Sequence, residues 1–264
     1  MFKVIVSDLD GTLLNSQHQV SPRTRHILHR LIDTGVRFIV ATGRHHIDVR
    51  SIRDALGLEI YLVTANGAVV HDKKDQAIYN RLIPSRLAAE IIRRPLTEDT
   101  IRNVFTSAAW LVEREMPEFL EFHKDTGFRY QVVDMTAVGT EDINKIFFIG
   151  EHGPLIDLER RLLARHGDAL SIAFSLPTCL EIMQKGVNKG AAVKAILKQN
   201  GFRPEHVVAF GDGMNDLEML SLAGLGVVMG NAHNRLKEAL PDNPQALSCD
   251  EDGVAEYLAK LFRL

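Results

Sequence analysis

Two carboxylates stand two residues apart near the start of the chain, in Asp8-Leu9-Asp10-Gly11-Thr12, and the glycine after them lets the backbone curl. A carboxylate so placed can attack phosphorus to form an aspartyl-phosphate. A second acid beside it can protonate a leaving oxygen and later deprotonate water. The same five residues also read as an Asx-rich turn after a strand. A second acidic stretch, Gly211-Asp212-Gly213-Met214-Asn215-Asp216, lies far along the chain. Carboxylates facing a phosphate dianion repel it, so this chemistry requires a cation. Oxygen donors with no His or Cys beside them suit Mg²⁺, which takes few carboxylates and keeps several waters. Asp8 and Asp212 can supply those carboxylates. Calcium fits less well, because the second stretch lacks the DxDxDG frame and the later bidentate Glu.

Two further residues complete the set. Lys189 falls in the first turn of a helix, where a cation opposes the macrodipole and is better tolerated facing an anion. An exposed helical lysine is the plainer alternative. Thr42 closes an apolar run and can donate its hydroxyl to a phosphate oxygen, or simply end a strand.

Residues so scattered meet only if the fold carries them to one edge, and ligands of open parallel sheets bind at the carboxyl ends of the strands. The first third has the required rhythm. Phe2 to Ser7 reads as a buried strand; Ser21-Pro22 opens a helix with Ile27, Leu28, Leu31 and Ile32 on one face, and Gly35 stops it. Val36 to Ala41 and Ile60 to Thr64 are further strands, with a helix over Ile47 to Leu56 between them. This βαβαβ order implies a parallel sheet with right-handed crossovers. The last third resumes it, with a helix over Lys189 to Gln199, strands at Val207 to Phe210 and Leu225 to Met229, and helices over Leu217 to Leu222 and Gly253 to Phe262. The middle differs. Strand-like Ile143 to Ile149 and Leu170 to Phe174 flank a helical Leu155 to Arg165 without strict alternation. We read an α/β core of residues 1–83 and 186–264 with an α+β domain, 84–185, inserted into it.

Composition agrees with this scale. The chain has 264 residues, about 1.8 domains at about 150 residues each. Apolar residues make up 45% and charged residues 25%, which excludes disorder. Lys and Arg number 31 against 34 Asp and Glu, a net charge of -3. A dominant nucleic-acid or anionic-membrane surface is therefore not expected. Cys179 and Cys249 form no CxxC pair, so neither a disulfide framework nor a zinc-cysteine site is expected. The acidic N-terminus does not read as a signal peptide, and no apolar run has membrane-spanning length. The expectation is a soluble cytoplasmic protein with no protein partner implied.

Other patterns carry less. Gly224-Leu225-Gly226 followed by Gly230 misses GxGxxG and precedes a strand, and no GxxxxGK[ST] occurs. His45-His46 looks like a metal pair, but adjacent residues do not share a helix face. A substrate-side or surface role suits them better.

Taken in order, Asp8-Leu9-Asp10-Gly11-Thr12-Leu13, Ala41-Thr42-Gly43-Arg44, Asn188-Lys189-Gly190 and Gly211 to Asp216 resemble the haloacid dehalogenase-like phosphatases. More narrowly they resemble the Cof-type branch, with a Rossmann-like core and a class IIB cap. The resemblance spans nearly the whole chain. It implies Asp8 as nucleophile and Mg²⁺ ligand, and Asp10 as general acid/base that lends Mg²⁺ its backbone carbonyl. Asp212 would complete the metal site, with Asn215 and Asp216 supporting it and Asn215 also near the phosphate. Thr42 and Lys189 would bind the transferring phosphoryl group, helped by the backbone N–H groups of Leu9 and Asp10. Gly43, Arg44, Asn66 and Gly67 would line the cleft, with His45, His46 and Glu181 on the substrate side. Transport ATPases resemble the first motif but carry Thr in place of the second acid; Asp10 therefore favours rapid turnover of phosphate esters. The implied substrate is a small phosphorylated metabolite, with Thr42 to His46 resembling a subgroup that acts on pyridoxal phosphate and sugar phosphates. A phosphomutase or a phosphometabolite-binding regulator on the same fold are the alternatives.

Overall fold

The strand–helix rhythm at both ends of the chain is present in the structure, a computed structural model that describes residues 2–93, 100–124 and 126–264. From the N-terminus run β1 (Val4–Ser7), α1 (Pro22–Asp33), β2 (Arg37–Ala41), α2 (His46–Leu56) and β3 (Tyr61–Thr64). A 3₁₀ turn over Ala65–Gly67 then leads to β4 (Val69–His71) and β5 (Ala77–Asn80). The middle holds α3 (Ser85–Ile92), β6 (Thr100–Thr106), β7 (Trp110–Val112), α4 (Pro117–Phe122), β8 (Tyr130–Val132), β9 (Ile143–Gly150), α5 (His152–His166), β10 (Leu170–Leu176) and β11 (Cys179–Gln184). The C-terminal part adds α6 (Lys189–Gln199), β12 (Val207–Gly211), α7 (Leu217–Leu222), β13 (Leu225–Val228), α8 (Asn234–Ala239) and α9 (Gly253–Phe262).

Local chemistry sets these boundaries. Ser21 caps α1 by accepting from the Thr24 N–H at 3.0 Å, and Pro22 occupies the first helical position, where its missing N–H costs nothing. Ile27, Leu28 and Leu31 are buried along one face of that helix. Gly35, with φ +92°, turns the chain into β2.

Contacts divide the chain into two units. The first comprises residues 1–43, 53–78 and 188–264; the second comprises 44–52 and 79–187. The sheet order β13-β12-β1-β2-β3-β4-β5 runs through the first, with Tyr79 and Asn80 of β5 past the division. From β13 to β3 the strands are parallel, while β4 returns antiparallel to β3. β1 is the hub, with Ser7 opposite both Val40 of β2 and Phe210 of β12. All four of its residues are buried, as expected for a parallel strand covered on both faces. Because β1, β2 and β12 are parallel, the residues just past their ends, Asp8, Thr42 and Asp212, emerge on one edge.

The second unit is built on the sheet order β10-β11-β9-β6-β7-β8, antiparallel except for the β7–β8 pair. Side chains alternate across it. Val104, Ile146, Phe148, Leu180 and Ile182 join Ala88 and Ile91 of α3 and Leu155, Leu158 and Leu162 of α5 in an apolar core. The intervening positions on β6, β9 and β11, Phe105, Lys145, Phe147 and Glu181, are also buried.

The contact division differs from the sequence boundaries at 83/84 and 185/186, falling at 78/79 and 187/188 instead. It also places Arg44 to Ile52 in the second unit. The reason is polar and aromatic: His45 bonds to the Thr106 carbonyl and stacks on Phe128, and Asp48 gathers His123 and Thr126. Among the described residues, no helix is long and apolar enough to cross a membrane.

The core of the second unit should fail as a unit when opened. Phe148→Ala is expected to cost about 3–5 kcal/mol, read through the fluorescence of Trp110, the chain's single tryptophan, which lies in that unit. A loss under 1 kcal/mol would contradict the packing described.

Candidate active site

The end of β1 is held in place before any side chain acts. The Asp8 N–H donates to the Phe210 carbonyl at 3.0 Å, locking the first acid to β12. Asp8 Oδ1 then accepts from the Leu9 N–H at 2.7 Å and from Lys189 Nζ at 2.8 Å. Lys189 begins α6, whose N-cap Asn188 accepts from the Ala191 N–H at 2.7 Å. An ammonium there opposes the helix dipole, yet Lys189 is fully buried, with Asp216 Oδ1 at 2.7 Å on its other side. Two carboxylates outweigh both dipole and desolvation.

The end of β12 is shaped by Asp216. Its Oδ2 accepts from the N–H groups of Asp212 and Gly213, both at 3.0 Å, so each of its oxygens has protein donors. This turn aims Asp212 at β1, where Thr12 donates to Asp212 Oδ1 at 2.8 Å. Gly11 sits against the same carboxylate with φ +71°, and a Cβ there would fall 2.4 Å from Asp212 Oδ2. No side chain fits.

Thr42 follows β2 and is buried. Its N–H donates to the Val63 carbonyl at 2.8 Å, and its carbonyl accepts from the Asn66 N–H at 3.0 Å. Asn66 adopts a left-handed backbone, φ +54°, within the turn after β3, and its Oδ1 accepts from Asn215 Nδ2 at 3.0 Å. Gly67, with φ +98°, lies where a Cβ would come 2.3 Å from the Asn188 carbonyl. Thr42, Asn66 and Asn215 are thus linked by hydrogen bonds, Gly67 packs against the backbone of Asn188 and Lys189, and Gly43 lies against Asn66.

The charges do not cancel. Oxygens of Asp8, Asp212 and Asp216 lie within 4.8 Å of one another, the one such acidic group among the described residues. Burial, then the charge of Asp216, pushes Asp8 well above the ordinary carboxylate range, although Lys189 pulls the other way. Burial and Asp216 likewise raise Asp212 to about 6 against the hydrogen bond from Thr12 and the charge of Lys189. Burial alone would lower Lys189, but Asp216 and Asp8 hold it above its usual range. Three carboxylates against one ammonium leave negative charge that a hard, oxygen-binding divalent cation fits. Asp216 is the least available ligand, its oxygens being taken by Lys189 and the turn.

Of the remaining residues singled out in the sequence, Arg44, His45, His46 and Glu181 belong to the second unit. The Leu9 N–H donates to Asp8 Oδ1 at 2.7 Å, as a buried carboxylate gathers nearby donors. Arg44 lies 3.1 Å from Asp48 Oδ2, and His123 Nδ1 lies 3.0 Å from the same oxygen. Thr126 donates to Asp48 Oδ1. Burial would raise Asp48, but His123, Arg44 and Thr126 bring it below the usual range. His45 Nε2 donates to the Thr106 carbonyl at 2.8 Å, and its Nδ1 accepts from the Ile47 N–H at 3.1 Å. That is a neutral tautomer, stacked on Phe128 and edge-on to Phe105. Burial lowers its pKa to about 4. His46 starts α2, half-buried. Glu181 is buried, with Lys145 Nζ at 2.8 Å above the rings of Phe105 and Phe147. Asp48, His123, Thr126 and Lys145 belong to no motif, since isolated polar and charged residues carry no spacing signal.

A parallel α/β core that brings acids, a buried lysine and a hydroxyl to one edge defines an enzyme of the phosphoryl-transfer kind. Residues 5–258 match the family model of the haloacid dehalogenase-like hydrolases. A Haemophilus influenzae protein whose name carries the word phosphatase and no substrate is 40% identical over 100% of this chain and 98% of its own. The Cronobacter sakazakii HMP-PP phosphatase is 37% identical over 95% of this chain and 92% of its own. Among solved structures, a haloacid dehalogenase-like hydrolase from B. subtilis superposes with a TM-score of 0.89 at 29% identity, covering 98% of this chain and 100% of that one. The chain belongs to the haloacid dehalogenase-like hydrolases and is a phosphoric monoester hydrolase.

Two outcomes follow from the electrostatics. Lys189→Met leaves Asp8 and Asp216 buried without their cation and should cost about 3–5 kcal/mol in urea denaturation; unchanged stability would show that the ammonium is not what balances them. His45 binds its proton less readily folded than unfolded, so stability is lost as pH falls from about 6.5 toward about 4. The loss should reach about 3 kcal/mol. His45→Gln, which keeps the donor to Thr106, should flatten that slope in Trp110 fluorescence, and an unaltered slope would place the titration elsewhere.

Proposed function

We propose that this chain is a Mg²⁺-dependent phosphatase of small phosphorylated metabolites that works through an aspartyl-phosphate on Asp8. The observation that carries the reading is the asymmetry of that carboxylate. Oδ1 is held by Lys189 and the Leu9 N–H, whereas Oδ2 has no hydrogen-bond partner among the described residues. Oδ2 is the atom that attacks phosphorus, in line with the departing ester oxygen. Asp10 gives its proton to that oxygen as the bond breaks. It then takes a proton from the water that attacks the acyl-phosphate, freeing phosphate and restoring Asp8. Lys189 and the Thr42 hydroxyl hold the phosphoryl oxygens, with Asn66, Asn215 and Gly43 beside them.

Asp8, the Asp10 carbonyl and Asp212 would hold Mg²⁺, with Asn215 and Asp216 supporting them. The bound ion supplies neutralisation of the phosphoryl charge. The unbalanced acids of the site and their all-oxygen donor set support this choice.

For substrate class, the stretch Thr42 to His46 supports sugar phosphates and pyridoxal phosphate, and the names of relatives add HMP-PP. The test is phosphate release from a panel of these compounds and nucleotides, with Mg²⁺ or with EDTA, for wild type and Asp8→Asn. Release should require Mg²⁺ and fall at least about a thousandfold in Asp8→Asn. Release that survives Asp8→Asn would remove the nucleophile. No release from any compound by folded, Mg²⁺-bound protein would move the reading to a mutase or a binding role.

A further inference from the structure

The chain leaves Asp10 through Gly11 and folds into a tight turn over residues 14–19 that none of the site motifs includes. Asn15 organises it. Its N–H donates to the Gln19 carbonyl at 3.0 Å, and its own carbonyl accepts from the His18 N–H at 2.9 Å. Its side-chain Oδ1 accepts from the N–H groups of Gln17 and Gln19, both at 3.0 Å. The Ser16 N–H donates to Asp250 Oδ1 at 2.7 Å, anchoring the turn to the rest of the unit. Asp10 and Leu14 are joined by a β-bridge.

Within this frame His18 has φ +58°. A side chain makes that left-handed conformation costly, and glycine would occupy it freely. Strain of this kind gathers where a side chain must be aimed. The ring of His18 is aimed at the second acid, with Nδ1 3.7 Å from Asp10 Oδ1. Both groups are partly exposed, with side-chain exposures of 43% and 35%.

A carboxyl group that must give a proton to one oxygen of a substrate has to present one of its two oxygens reproducibly. Hydrogen bonds of catalytic acids are often long without substrate and tighten in the complex. We propose that His18 is a positioning residue for Asp10, its Nδ1–H donating to Oδ1 and so presenting Oδ2 to the leaving oxygen. This rests on the reading of Asp10 as the acid. As Asp8 Oδ2 bonds to phosphorus, the P–O bond to the leaving group breaks with its electron pair on oxygen. The proton on Asp10 Oδ2 moves to that oxygen, and His18 keeps its own proton throughout.

The test varies the leaving group. An alkyl phosphate needs its oxygen protonated as it departs, whereas nitrophenolate leaves without a proton at neutral pH. His18→Gly removes the ring and relieves the backbone, so folding is not threatened. His18→Asn tolerates the left-handed backbone and carries an amide N–H near the place of Nδ1. Asp10→Asn is run beside them. Asp10→Asn should lose about a hundredfold or more on an alkyl phosphate and far less on p-nitrophenyl phosphate. His18→Gly should lose about tenfold in kcat on the alkyl phosphate with KM unchanged, and under about twofold on the aryl ester, with His18→Asn restoring most of the loss. Equal losses on both esters, or no loss on either, for His18→Gly beside a leaving-group-sensitive Asp10→Asn would overturn the His18 role alone. An Asp10→Asn variant insensitive to the leaving group would remove Asp10 as the acid, and the His18 role with it.

Discussion

A fully buried ammonium has to be met by negative charge on every side it touches, and Lys189 is such a group. Asp8 and Asp216 meet it at 2.8 and 2.7 Å, and three separate parts of the chain are thereby fixed to one point. The demand propagates outward. Asp216 can face Lys189 only if the turn after β12 closes on it, which the Asp212 and Gly213 N–H groups achieve. That turn leaves no room for side chains at Gly211 or Gly11, because a Cβ at either would strike a carboxylate. Asp8 in turn needs β1 between β2 and β12, since its own N–H is bonded to Phe210. Sheet order, glycine positions and helix start all serve one ion triplet. Such triplets rarely stabilise a fold more than apolar packing would; what this one provides is a fixed orientation for the carboxylate beside it.

The two units treat buried charge in opposite ways. In the first, three carboxylates share one lysine and two of them are pushed upward, leaving a site that attracts a cation. In the second, Asp48 is compensated by Arg44, His123 and Thr126 and pulled downward, Glu181 has Lys145, and His45 is neutral. One arrangement is open to a further ion; the other is closed upon itself. Arg44, His45 and Glu181, which share residue types with ligand-binding groups, have these partners within the second unit.

The sequence was most legible where the chemistry is local. Ser21-Pro22 marked the start of α1, and the helices Lys189 to Gln199, Leu217 to Leu222 and Gly253 to Phe262 have the bounds that periodicity predicts. Asp8, Thr42, Lys189 and Asp212 were visible because each stands where an apolar run ends or a helix begins. Their convergence followed from the parallel sheet alone. The strands β6, β7 and β11 carry no such signal, since strands buried on both faces lack the polar–apolar alternation that marks a strand, and the three residues of β8 are too few to show one. His18 stands outside every motif, and its φ of +58° belongs to a turn whose hydrogen bonds no spacing announces.

The sheet order also has a consequence in time. β1 is the first strand to be synthesised, yet one of its two neighbours, β12, comes from residues 207–211. Every residue of the second unit lies before position 188. On the ribosome, where domains form as they emerge, the second unit is complete while the flank of β1 that will pair with β12 still lacks its partner. One flank of the earliest strand therefore waits for its hydrogen bonds until β12 is made, and a nascent chain stalled before β12 carries Asp8 without the Phe210 carbonyl that fixes its backbone.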